Sequence, residues 1–158
     1  MSWDGSDGMR TVVTGALSSG LVGHTLQHSD IGGYNAVLDL GPSMYFDRTY
    51  ELLKRWCELS AFGSAVYRSH PGNQYLRTPQ VYDNAEMMAH FGRFAAIFGN
   101  LSAYRMGLME EASQFGYPLM RPLFFHYAYD PQCWRVQDQY LFGEDFLVAP
   151  ILDPGEEL

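Results

Sequence analysis

Two pairs of polar side chains, each at the end of an apolar stretch, are the residues of this chain most able to bind a ligand. His28 and Asp30 form the first pair, and Arg68 and His70 form the second. In an extended strand, residues two apart point to the same side, so each pair would project into one space. Asp30 can accept hydrogen bonds from hydroxyl groups, whereas Arg68 and His70 can donate them. Such a set of donors and acceptors is typical of a sugar pocket.

Two glycines, Gly32 and Gly33, follow the first pair and precede Tyr34. Glycine allows a tight backbone turn with no Cβ in the way. Each candidate also has a structural alternative. Asp30 could cap backbone amides before the glycines, and Arg68 could pair with a neighbouring carboxylate. His70 could be a satisfied structural histidine, and Tyr34 could be a core ring.

The elements that would position these residues are read from the spacing of apolar side chains. Leu52, Leu53, Trp56, Leu59 and Phe62 recur at three- and four-residue intervals, which predicts an amphipathic helix over residues 47–62 with Asp47 as its cap. Further helices are expected at residues 11–21, from Asp83 or Asn84 to 98, and 102–116, and the Met and Phe residues between 87 and 98 are expected to pack in the core. Strands are expected at residues 24–28, 65–68, 123–129 and 145–152, and loops at 35–46 and 71–82.

Five segments in order resemble glycoside hydrolase family 31. They are Gly23-His24 with residues 28–34, then residues 52–62, 68–70, 116–123 and 139–150. The resemblance implies an α/β fold: residues 1–117 as the C-terminal part of a (β/α)8 barrel, and residues 118–158 as the start of a β-sandwich-like domain. It also implies that Asp30, Tyr34, Arg68 and His70 bind substrate.

The family hydrolyses α-glycosides with retention, using one Asp as nucleophile and a second as acid/base. The resemblance places both carboxylates upstream of Met1, so we expect a fragment with no catalytic residue of its own. Its 158 residues are also fewer than the roughly 250 of a closed barrel. Tyr34 and the His28-Ser29-Asp30 segment most resemble the branch that cleaves sulfoquinovosides. Pro71, however, stands where that branch is expected to carry an acidic residue, so α-glucosides and sulfoquinovosides both remain candidate substrates.

Composition excludes several classes of protein. With 47% hydrophobic and 18% charged residues the chain is globular, and no apolar run approaches the roughly 18 residues of a membrane span. A net charge of -8 argues against a nucleic-acid partner. Cys57 and Cys133 are expected to be free thiols. We expect a carbohydrate partner, no cofactor and no metal; the compartment and oligomeric state stay open.

Two alternative functions remain at this stage. A carbohydrate-binding module would suit the 15% aromatic content, although such modules are mostly β. A metal-dependent hydrolase could use His24, His28 and Asp30, because their spacings occur in metal sites.

Overall fold

The computed structural model describes residues 3, 5–34, 48–72 and 78–155, which form four α-helices and one small sheet. The helices are α1 (Met9–Leu21), α2 (Tyr50–Ala61), α3 (Ala85–Asn100) and α4 (Ser102–Phe115). The strands are β1 (Met120–Arg121), β2 (Tyr140–Phe142) and β3 (Phe146–Val148), and a short 3₁₀ helix at Leu123–Phe125 lies between β1 and β2. None of these helices is both long and apolar enough to cross a lipid bilayer.

Helix α2 forms where the apolar spacing predicted it and buries the expected face, including Leu52, Leu53 and Trp56. Its N-cap is Thr49, whose side-chain oxygen accepts a hydrogen bond from the backbone N–H of Leu52. The predicted cap, Asp47, lies outside the described residues. Because a threonine hydroxyl at the N-cap satisfies an otherwise unpaired amide, the helix starts three residues later than predicted.

Helices α3 and α4 also confirm their predictions, with small shifts at the ends. Asn84 caps α3 through its side chain, and α3 continues to Asn100 rather than ending at Phe98. Gly116, in the left-handed conformation, ends α4. The expected core role of the α3 methionines holds for Met87, which is buried, but not for Met88, which is exposed.

The predicted strands at residues 24–28 and 65–68 do not form a continuous ladder. The two segments instead run side by side, joined by hydrogen bonds from Ala65 N to Gln27 O at 2.7 Å and from Ile31 N to Arg68 O at 2.9 Å. Ile31 and Ser69 form an isolated parallel bridge. These bonds are too widely spaced to define strands, yet they hold the ends of both segments together.

The sheet is antiparallel throughout, in the order β1-β2-β3, with Met120 opposite Phe142 and Tyr140 opposite Val148. The predicted strand at 123–129 is wrong: Phe125 N–H and Tyr127 N–H bond back to Pro122 and Leu123, so this aromatic run turns on itself. The predicted strand at 145–152 shortens to β3. Local turn bonds therefore outweigh the β-propensity of this aromatic run.

The main core joins all four described helices and the sheet. Its fully buried side chains include Met9, Val13, Ile31, Leu52, Leu53, Trp56, Leu119, Tyr140 and Phe142. Trp56 lies fully buried on α2 and connects this core to the segment that carries the candidate ligand-binding residues. Cys57 and Cys133 are free thiols, as expected.

Candidate functional site

Asp30 and Arg68 meet where the two parallel segments end. Arg68 Nε donates to Asp30 Oδ1 at 2.8 Å, and His28 Nε2 lies 3.2 Å from the same oxygen. The Asp30 side chain is nearly buried, whereas that of Arg68 is 58% exposed. The sequence prediction that His28 and Asp30 face one side is thus confirmed. The structural alternative, in which Arg68 pairs with a neighbouring carboxylate, is confirmed as a contact as well.

Asp30 is held in its ionised form. Burial acts to raise the pKa of its carboxyl, but hydrogen bonds from Arg68 and His28, together with the positive charge of Arg68, outweigh burial and bring the pKa below its ordinary value. The bond to Asp30 in turn raises the pKa of Arg68. The two groups therefore form a charged pair with one nearly buried partner and one exposed partner.

Tyr34 and His70 form a second pair. Their rings stack with centroids 4.2 Å apart and an interplanar angle of 23°. His70 Nδ1 lies 2.9 Å from the Tyr34 carbonyl oxygen and 3.1 Å from the Gly72 nitrogen, so the backbone occupies that side of the ring. Its Nε2 has no hydrogen-bond partner within the described ranges.

The turn between the two pairs requires its glycines. Gly32 and Gly33 have φ angles of +81° and +83°, and Gly33 N donates to Asp30 O at 2.7 Å. A Cβ on Gly32 would lie 2.4 Å from Leu53 Cδ2. The predicted tight turn is therefore present, and it packs directly on α2.

Sequence reasoning missed Arg48, which lies two residues before α2 and is fully buried. Its guanidinium donates to the carbonyl oxygens of Gly32, Gly33 and His70 at 2.9, 2.6 and 2.8 Å. Burial lowers the pKa of Arg48, and the charge of Asp30 acts in the opposite direction. No sequence signal marked this residue, because an arginine before an amphipathic helix usually lies on the surface.

Helix α2 supports the same turn through a second contact that the sequence did not reveal. The Trp56 Nε1–H group donates to Ser29 Oγ at 2.9 Å. On the opposite side, Ser69 Oγ donates to Ile31 O at 3.3 Å. Both hydroxyl groups therefore fix the backbone on either side of Asp30.

The alternative metal site gains no support from this geometry. Both ring nitrogens of His28 face protein atoms, Nδ1 lying 3.0 Å from Val66 O and Nε2 facing Asp30. In the part of the chain that the structure describes, no three His, Cys, Asp or Glu side chains are grouped so as to hold a metal ion.

Comparison with known families decides the class of this fold. Residues 2–110 match the model of the glycosyl hydrolases family 31 TIM-barrel domain, and residues 116–158 match that of the glycosyl hydrolase family 31 C-terminal domain. The chain belongs to glycosyl hydrolase family 31. The predicted fold class is therefore confirmed: part of an α/β barrel is followed by the C-terminal domain, to which the small sheet belongs.

Individual relatives agree with the family match. The chain is 45% identical to the sulfoquinovosidase of Agrobacterium fabrum over 95% of its own length and 22% of that protein. It is 40% identical to the sulfoquinovosidase of Escherichia coli, covering 98% of the chain and 22% of the relative. The structure of a family 31 sulfoquinovosidase from E. rectale with an aza-sugar inhibitor matches with a TM-score of 0.90 and 37% identity, over 98% of this chain and 22% of that one. The chain thus spans about 22% of the length of these curated relatives.

The charged pair at this family 31 site predicts how stability depends on pH. Because the pKa of Asp30 is lowered on folding, its contribution is fully present above the unfolded pKa of about 3.9 and is lost as the pH falls through the folded value. We expect Asp30→Asn to reduce the free energy of unfolding at neutral pH and to reduce it less below about pH 4. Urea unfolding of the unaltered protein and of Asp30→Asn, from neutral pH to below about pH 4, measures the difference in their free energies of unfolding. Asp138→Asn, at an exposed position, is the control, and a difference for Asp30→Asn that stays constant into acid would contradict the prediction.

Proposed function

We propose that this chain contributes sugar-binding residues to a retaining α-glycoside hydrolase that acts on sulfoquinovosides or α-glucosides. The observation that carries the proposal is the grouping of Asp30, Tyr34, Arg68 and His70 around one glycine turn, in a chain 45% identical to a sulfoquinovosidase. We further propose that both catalytic carboxylates lie outside this chain and that the chain alone is inactive.

The available atoms at the site suit a polyhydroxylated ligand. Asp30 Oδ1 is used by Arg68 and His28, but Oδ2 has no hydrogen-bond partner among the described residues and can accept from a hydroxyl. Both terminal nitrogens of Arg68 and Nε2 of His70 are likewise unused within those residues, and the two nitrogens of Arg68 can donate. One acceptor and several donors on opposite sides of a turn can orient a sugar ring through its hydroxyl groups.

Asp30 is poorly suited to the chemical steps themselves. A retaining glycosidase needs a proton donor and a nucleophile about 5 Å apart. Asp30 is held ionised by the hydrogen bonds of Arg68 and His28, so it cannot donate a proton near neutral pH. Its bonded neighbours in the described part of the chain are a guanidinium and an imidazole rather than a second carboxylate. These features favour a role in binding.

Recognition of an anionic sulfosugar requires more than Arg68. The charge of this guanidinium is partly balanced by Asp30 at 2.8 Å, and the whole chain carries a net charge of -8. Tyr34 is 53% exposed, so its phenol can donate to a sulfonate directly or through a water molecule. Further positive groups would come from other parts of the enzyme.

The first test concerns the isolated chain. We expect no hydrolysis of nitrophenyl α-glucoside or α-sulfoquinovoside, because binding groups without nucleophile and proton donor do not lower the chemical barrier. Nitrophenol release is followed by absorbance, with heat-treated chain as the blank and a sulfoquinovosidase as the positive control. Release above the blank would refute the proposal that the carboxylates lie elsewhere.

A second test uses the whole enzyme. His70→Ala and Asp30→Ala should each lower kcat/KM by about 2 to 4 kcal/mol of transition-state stabilisation, because each removes a hydrogen bond to a buried or charged partner. His90→Ala is the matched control, since His90 contacts Lys54 and Glu58 between α2 and α3 instead. Near-normal kcat/KM in either site variant would exclude substrate binding by that residue.

Tyr34 provides a test of substrate class. Tyr34→Phe keeps the ring stacked on His70 and removes one donor, so the loss should fall on sulfoquinovosides and spare plain α-glucosides. One hydrogen bond to a charged group contributes about 1.5 to 3 kcal/mol, or roughly ten- to a hundredfold in kcat/KM. Tyr127→Phe is the control because Tyr127 is similarly exposed, at 54%. If kcat/KM falls equally for both substrates, Tyr34 has only a packing role, and the enzyme is better described as an α-glucosidase.

A further inference from the structure

Arg48 joins the two backbone segments that carry the stacked rings of the site. Its Nε and one terminal nitrogen donate to Gly32 O and Gly33 O, and its other terminal nitrogen donates to His70 O. The Gly33 carbonyl belongs to the peptide bond that leads directly into Tyr34. The guanidinium therefore holds the backbone next to Tyr34 and the backbone of His70 at one fixed separation.

A buried positive charge is expensive unless its hydrogen-bonding groups are satisfied. Arg48 is 0% exposed, and its hydrogen-bond partners among the described residues are backbone carbonyls rather than a carboxylate. The planar guanidinium directs its N–H groups in a rigid fork, which lets one side chain serve three acceptors in different directions. A lysine ammonium at this position has the charge but not that geometry.

The burial of Arg48 also excludes direct contact with a ligand. Arg48 holds the backbone next to Tyr34 and the backbone of His70, whose rings lie 4.2 Å apart, so it can act on substrate through these two groups. Its aliphatic stem packs against Gly32, since a Cβ there would lie 3.3 Å from Arg48 Cδ. The glycine turn and the Arg48 side chain therefore pack against each other and are joined by hydrogen bonds.

We propose that Arg48 is a positioning residue that sets the separation of Tyr34 and His70, and through it the preference for sulfoquinovosides over plain α-glucosides. This inference rests on the proposed function of the site. If Arg48 does set this separation, its loss changes substrate preference and does more than reduce stability.

Arg105 offers a matched control for the test. It is also buried, and its fork donates to three backbone carbonyls, those of Ser64, Phe98 and Ala61, at 3.1, 2.9 and 3.0 Å. Those carbonyls lie in and after α2 and at the end of α3, not at the glycine turn. Arg105→Lys therefore removes the same kind of contact from the fold and leaves the Tyr34–His70 pair untouched.

The experiment compares Arg48→Lys, Arg105→Lys and the unaltered whole enzyme. We measure kcat/KM for nitrophenyl α-sulfoquinovoside and nitrophenyl α-glucoside, together with Tm. We expect Arg48→Lys to lower the ratio of the two kcat/KM values by about tenfold, and Arg105→Lys to lower Tm without changing the ratio. In a crystal structure of Arg48→Lys, the rings of Tyr34 and His70 should lie farther apart.

Each outcome decides the proposal. An unchanged ratio in a folded Arg48→Lys enzyme overturns it, and so does an equal change in Arg105→Lys. If Arg48→Lys does not fold, Arg48→Ala with millimolar guanidinium replaces it, and recovery of the ratio by guanidinium but not by methylammonium supports the proposal. Failure of both Arg48 variants to fold while Arg105→Lys folds also overturns it.

If the unaltered enzyme hydrolyses neither substrate, the proposed function itself fails, whereas the ring separation in the variant still tests Arg48.

Discussion

The parallel contact between residues 27–31 and 65–69 is the constraint on which the candidate site depends. Its central hydrogen bond, from Ile31 N to Arg68 O at 2.9 Å, brings together the ends of two segments 38 residues apart in sequence. Asp30 and Arg68 can meet only because this contact aligns them. The stack of Tyr34 on His70 lies one step farther along the same two segments. Loss of the contact would separate both pairs at once.

Buried arginines reinforce this arrangement where regular sheet bonding is sparse. The carbonyls of Gly32, Gly33 and His70 are satisfied by Arg48 rather than by a neighbouring strand, and those of Ala61, Ser64 and Phe98 are satisfied by Arg105. A buried carbonyl without a donor costs free energy comparable to a lost hydrogen bond. Arg48 therefore completes the hydrogen bonding of an irregular turn, and Arg105 completes that of two helix ends and of the backbone after α2.

The two charged partners of the site, Asp30 and Arg68, differ in their exposure to solvent. Asp30 is nearly buried and kept ionised, whereas Arg68 is mostly exposed and uses only Nε for the pair. An exposed guanidinium paired on one edge keeps its other donors for a ligand, but attracts an anion less than a free one would. The proposed preference for a sulfosugar therefore depends on neutral donors such as the Tyr34 phenol as well as on charge.

The sequence alone predicted the family and the four described helices, and it named the candidate residues that the proposed function uses. Apolar spacing was sufficient for α2 because burial of one face stabilises a helix whatever its neighbours are, and the ordered motifs around Asp30 and Arg68 were sufficient for the family. The exact ends of the helices and the positions of the short strands were not predictable. Hydrogen bonds within a turn, such as those that follow Pro122, outweigh the β-propensity of the local sequence. The burial of Arg48 and its three hydrogen bonds were decided only by the tertiary structure. Its three acceptors lie 15, 16 and 22 residues away, and no local pattern indicates that a single side chain will be buried among them.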